Sequence, residues 1–151
     1  MRFKQARELL LFVADARLAL SKLYQSWVNR LENPRSRLLL EFLVTREQEQ
    51  RRALKEYIEL ATPAALDTWF DNTSESDLME RIDGWTFAPD IDEHDLLGEA
   101  LKLDNELMGL LSQQVPNAAS VETQELLINL LAHEQERQRR MIHGVARMDD
   151  I

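Results

Sequence analysis

Four prolines, Pro34, Pro63, Pro89 and Pro116, divide this sequence, and the stretches between them are rich in Leu, Ala, Glu, Gln, Lys and Arg. Those residues are strong helix formers. Proline lacks a backbone N–H and clashes with the preceding turn, so it starts a helix or breaks one. The spacing predicts helices over residues 4–31, 34–61, 90–114 and 120–147, with a crossover over 62–89. In the first, Leu9, Phe12, Val13, Ala16, Leu20, Leu23, Tyr24 and Trp27 recur at helical intervals. In the second, Leu39, Phe42, Leu43, Leu54, Tyr57 and Ile58 form the inward face. Asn33-Pro34 and Thr62-Pro63 each read as a capping residue followed by proline at the first helical position.

The link between the first two helices is short, which makes them antiparallel neighbours. The crossover is predicted to carry two short helices, Ala64 to Phe70 and Ser74 to Ile82, the latter with Ser74 and Asp77 as a capping pair. Its aromatics Trp69, Phe70, Trp85 and Phe87 are expected to seal it onto the long helices. The expected architecture is one all-α domain over residues 1–151: two antiparallel helical hairpins joined by a long crossover.

Charge and cysteine content narrow the function classes. With 18 basic and 27 acidic side chains the net charge is −9, which argues against nucleic acid or an anionic membrane as partner. Cysteine is absent, so disulfides, thiolate metal sites and iron–sulfur clusters are excluded. That fits a reducing compartment, and the cytoplasm is the expected location. The apolar run Leu9 to Val13 is interrupted by Asp15 and Arg17, so no signal peptide is expected. His94, His133 and His143 share no metal-ligand spacing and read as solvated or packing residues. Asp90, Asp92, Glu93 and Asp95 gather at a helix start, where the helix dipole favours acids.

The two long C-terminal helices of the hairpins carry related segments. Glu47-Gln48-Glu49-Gln50-Arg51-Arg52 in the second helix aligns with Glu134-Gln135-Glu136-Arg137-Gln138-Arg139 in the fourth, matching at the first three positions and at the last. The match falls at the same depth in each hairpin. In this the chain resembles the ferritin/rubrerythrin superfamily, whose second and fourth helices each carry Glu-x-x-His. Its first and third helices each add an inward Glu, commonly with an aromatic seven residues later, and together these hold a di-metal centre. Spacing of i, i+3 puts Glu and His on one helix face, and hard cations need several oxygens.

The pattern carries over with substitutions. The second helix reads Glu47-x-x-Gln50-x-x-x-Leu54, so the Glu is kept and the His is Gln. The fourth reads Glu134-x-x-Arg137-x-x-x-Met141, with Arg in place of His. The first reads Arg17-x-x-Leu20-x-x-x-Tyr24, with Arg for the inward Glu, and the third reads Asp104-x-x-Leu107-x-x-x-Leu111. The resemblance implies a ferritin-like four-helix bundle in which Arg17, Glu47, Gln50, Asp104, Glu134 and Arg137 form a polar network in the core. Carboxylates in an apolar interior must be neutralised, and arginine's planar fork suits that task.

Functionally it implies a non-catalytic protein with no cofactor and a structural, regulatory or protein-interaction role. The alternative is a divergent rubrerythrin-like metal-binding protein or oxidoreductase using iron or manganese on Glu47, Asp104 and Glu134. An outward stripe on the first helix could serve a homodimer, and no residue pattern names another protein partner.

Overall fold

A computed structural model describes residues 2–148. The chain runs β1 (Arg2–Gln5), α1 (Ala6–Trp27), α2 (Pro34–Leu60), α3 (Pro63–Asp67), β2 (Trp69–Glu75), α4 (Leu78–Asp83), α5 (Glu93–Gln114) and α6 (Val121–Met148), with a 3-10 turn at Val115–Asn117 between the last two. It is mostly helical, and no helix among the described residues is long and apolar enough to cross a membrane.

The helix starts follow local chemistry. The Asn33 side chain accepts from Arg35 N–H at 2.9 Å ahead of Pro34, and Thr62 Oγ1 accepts from Ala65 N–H at 3.3 Å ahead of Pro63. Asp92 accepts from Asp95 N–H at 2.8 Å, and Ser120 Oγ from Thr123 N–H at 3.1 Å. Each bond satisfies an N–H that the first helical turn leaves unpaired.

Two expectations need correction at the ends of elements. The first helix does not begin at residue 4. Arg2 to Gln5 are extended and pair antiparallel with β2, Arg2 opposite Glu75, Phe3 opposite Ser74 and Gln5 opposite Trp69. Phe3 is buried, its ring tilted against Phe12 with centroids 4.9 Å apart, while Arg2 and Lys4 face out. A period of two, not 3.6, runs through these residues. Arg2–Glu75 at 2.6 Å pairs one strand with the other, and Arg7–Asp67 at 2.7 Å joins α1 to α3, both at the surface.

The crossover is likewise less helical than expected. The first short helix stops at Asp67, and residues expected to continue it form β2. Ser74 therefore lies in a strand, and Asp77 precedes α4 without a side-chain cap, while Ser76 Oγ accepts from Leu78 N–H at 3.2 Å. Trp69, Phe70 and Thr73 are β-prone residues, and β1 offers them an edge.

The crossover folds back on the long helices. Leu78 and Ile82 of α4 are buried, and Phe87 meets Trp27 edge-on at 5.6 Å and Tyr24 at 6.3 Å. Phe70 is also buried, Trp85 is half-buried, and Trp69 stays 59% exposed with the Lys4 ammonium 5.8 Å from its ring. Tyr57 donates to the Leu126 carbonyl at 2.8 Å, tying α2 to α6. All eight inward positions expected of α1 are buried in one continuous core. Each leucine taken fully out of water there contributes about 1.5–3 kcal/mol.

Candidate functional site

Inside that apolar core sits a cluster of charged side chains. Arg17 shares its helix face with Val13, Leu20, Ser21 and Tyr24, all buried. Glu47 lies on the α2 face of Leu43, Gln50 and Leu54, Asp104 on the α5 face of Ala100, Leu107 and Leu111, and Glu134 on the α6 face of Leu127, Leu130 and Met141. Burial of those faces carries the four charged groups to one depth. Arg17, Glu47, Asp104 and Glu134 are each only 1% exposed.

Arg17 is the hub. Its Nη1 donates to Glu47 Oε2 at 3.0 Å and to Asp104 Oδ1 at 2.5 Å, and its Nη2 donates to Glu134 Oε2 at 3.1 Å. One guanidinium on α1 thus bonds a carboxylate from each of α2, α5 and α6. Arg46 adds a second cation. Its Nη1 reaches Glu47 Oε1 at 3.1 Å and Asp104 Oδ1 at 3.3 Å. Gln138 donates to Asp104 Oδ2 and to Asn105 Oδ1, both at 2.8 Å. With its amide oriented to suit its neighbours, Gln50 donates to Glu134 Oε2 at 2.9 Å and accepts from Arg46 Nη2 at 3.2 Å.

Of the expected network, Arg17, Glu47, Gln50, Asp104 and Glu134 come together and Arg137 does not. Arg137 is half-buried and makes no hydrogen bond or ion pair to these carboxylates. It lines a cleft between α2 and α6 instead. The second cation is Arg46, the residue before Glu47, which the Glu-x-x-His spacing does not single out. Replacing Arg137 with Ala should accordingly change stability by no more than about 1 kcal/mol, since the half-buried side chain has no internal hydrogen bond or ion pair to lose among the described residues. A loss of several kcal/mol in thermal unfolding would return Arg137 to the network.

The charges do not balance. Three carboxylates face two guanidiniums, and Glu134 Oε1 is buried with no hydrogen-bond partner. The strain falls unevenly. Burial pushes the Glu47 carboxyl above its ordinary value, with Asp104 adding to it, and Arg17 and Arg46 offset this only in part. Burial would also raise Asp104, but Arg17 and Arg46 more than offset it by charge and hydrogen bonds and hold it low. Burial opposes charge on Arg17, yet Glu47, Asp104 and Glu134 outweigh that and raise its pKa well above normal, so the hub stays cationic. Tyr24 is raised by burial and by Glu47 and Asp104, and remains a neutral phenol.

Glu47 is thus more easily neutralised than Asp104. A raised folded pKa contributes stability below the unfolded value of about 4.3, and that contribution is lost as pH rises through the folded value. Glu47→Gln removes the buried charge, but its amide nitrogen then faces one of the guanidinium donors that both Glu47 oxygens serve. The two effects oppose each other, so the deficit at pH 7 should be about 1 kcal/mol or less. A loss of 3 kcal/mol in urea unfolding would contradict this.

A di-metal centre fits these residues poorly. The point where the three carboxylates converge is filled by the Arg17 guanidinium. Among the described residues no group of three or more His, Cys, Asp or Glu is placed to hold a metal ion. His133 is exposed and packs edge-on to Tyr57 at 6.3 Å, and His94 and His143 are exposed. Compared with protein-family models, curated proteins and solved structures, the chain finds no match.

Proposed function

We propose that this chain is a ferritin-like four-helix bundle in which an arginine–carboxylate network stands at the position of a di-metal centre, and that it acts without catalysis as a structural, regulatory or protein-binding scaffold. The observation that carries this reading is Arg17, whose one guanidinium bonds carboxylates from three other helices. The element order supports it as well. Two long helices, a crossover and two further long helices follow the plan of ferritin-like bundles with one long connection.

A buried cation of this kind does the electrostatic work that metal ions do in that family, and it is permanent. Guanidinium does not deprotonate, exchange or change oxidation state. The bundle therefore keeps its shape without cofactor supply. The runner-up, a metal-binding protein using the retained carboxylates, draws on the excess of acid and on the unpartnered Glu134 Oε1.

Elemental analysis separates them. Protein purified without chelator should carry far less than one iron or manganese per chain. About two bound irons or manganeses per chain, as in the family's di-metal proteins, would overturn the proposal. Sedimentation across a concentration series would reveal a homodimer as one form of the scaffold.

A further inference from the structure

The cleft that Arg137 lines is a feature the central network does not use. It lies between α2 and α6 and encloses about 450 Å³. That volume is within the range of small-molecule sites. Its wall carries Arg46, Arg52, Arg137 and Arg140, and its apolar part is Phe42 and Ala53 with the edge of the buried Met141. A chain of net charge −9 has concentrated arginine at one cleft, with Glu49 the one carboxylate on its wall among the described residues.

The four arginines are committed to different degrees. Arg46 belongs to the buried network, although its Nε is buried without a partner. Arg52 pairs with Glu56 at 3.2 Å, and Arg140 sits 3.6 Å from Glu136; both pairs are exposed to solvent. Exposed pairs of this kind are worth little and exchange readily. Arg137 has no hydrogen bond or ion pair among the described residues, yet it is half-buried in the cleft wall. The cleft thus offers a free guanidinium beside a partly committed one and next to apolar surface. Gly144 shapes that surface: a Cβ there would come within 3.1 Å of Phe42 Cζ, so glycine lets the ring lie against α6.

We infer that this cleft binds a small organic anion, a carboxylate or phosphate head on an apolar body. Guanidinium groups match both head groups through paired N–H donors, and Phe42 with Ala53 takes the body. The inference does not depend on the ferritin-like reading, because it uses only the cleft and its wall.

Titration calorimetry with phenyl phosphate and, separately, octanoate tests it and tells the two heads apart. At least one should bind at a single saturable site with a Kd of about 1 mM or tighter. Phenol and octanol, which lack the charge, should not. Arg137→Gln should weaken binding about tenfold or more while leaving the melting temperature unchanged, because the side chain has no internal partner to lose. Arg140→Gln, on an exposed side chain, should weaken it less. Three outcomes overturn the inference: no saturable binding of either anion, binding that both substitutions leave intact, or inorganic phosphate binding as tightly as phenyl phosphate.

Discussion

Replacing Arg17 with Met should cost about 4–5 kcal/mol at pH 7, a fall in melting temperature of roughly 10–20 °C for a chain of this size. Methionine replaces the aliphatic stem and leaves only the space of the guanidinium tip unfilled. What is lost is the cation that meets Glu47 at 3.0 Å, Asp104 at 2.5 Å and Glu134 at 3.1 Å. Arg46 reaches the first two of these but not Glu134, whose Oε1 is already without a partner. Removing one member of a buried ion pair leaves uncompensated charge in a dry interior, and that penalty dominates. The variant's carboxylates should bind protons more readily, so it should gain stability as pH falls from 7 to 5.

A charge-free control separates electrostatics from packing. Adding Arg46→Met, Glu47→Met, Glu134→Met and Asp104→Leu to Arg17→Met should recover most of the loss, since apolar replacement of whole buried networks is often neutral or favourable. Thermal unfolding of both variants measures this. A loss below 1 kcal/mol for Arg17→Met alone would mean that the network contributes no net cohesion.

Much of this arrangement was legible in the chain, for reasons that can be named. Asn33-Pro34 and Thr62-Pro63 mark helix starts because a cap and a proline act through neighbouring backbone atoms only. The inward face of α1 could be read because eight apolar residues keep one period over the helix. Arg17, Glu47, Asp104 and Glu134 could be placed together through the resemblance, whose inward-Glu and Glu-x-x-His register falls on those four positions.

Arg46 could not. It stands one residue before Glu47, about 100° round the helix, among other arginines, and reaches the core by the length of its side chain. Gln138 escaped because it stands one residue past the position that the Glu-x-x-His spacing marks, and Arg137, at that spacing, faces the cleft instead. The β1–β2 pair was hidden because its short alternation, Arg2-Phe3-Lys4, gains meaning only from a partner strand some 70 residues away.

Asp104→Asn is expected to be the second most damaging change, at about 3 kcal/mol, because Asp104 is the carboxylate the network serves best. It receives Arg17 at 2.5 Å, Arg46 at 3.3 Å and Gln138 at 2.8 Å. Asparagine turns one of those acceptor oxygens into a donor that faces donors. Charge counting alone gives the opposite answer, since two guanidiniums would then face two carboxylates. Local bonding decides, because the excess negative charge is felt at Glu47, which burial raises, and not at Asp104, which is held low.

The sign follows from that depression. A lowered folded pKa contributes stability above the unfolded aspartate value of about 3.9, and the contribution is lost as pH falls through the folded value. The gap between wild type and Asp104→Asn should therefore be full at pH 7 and narrow below about pH 4. Glu47→Gln should show a smaller penalty at pH 7, because the charge it removes is the one that burial disfavours. Urea unfolding of both variants from pH 3 to 8 tests the pair. An Asp104→Asn deficit that widens on acidification, or a Glu47→Gln deficit as large as it, would reverse the roles assigned to the two carboxylates.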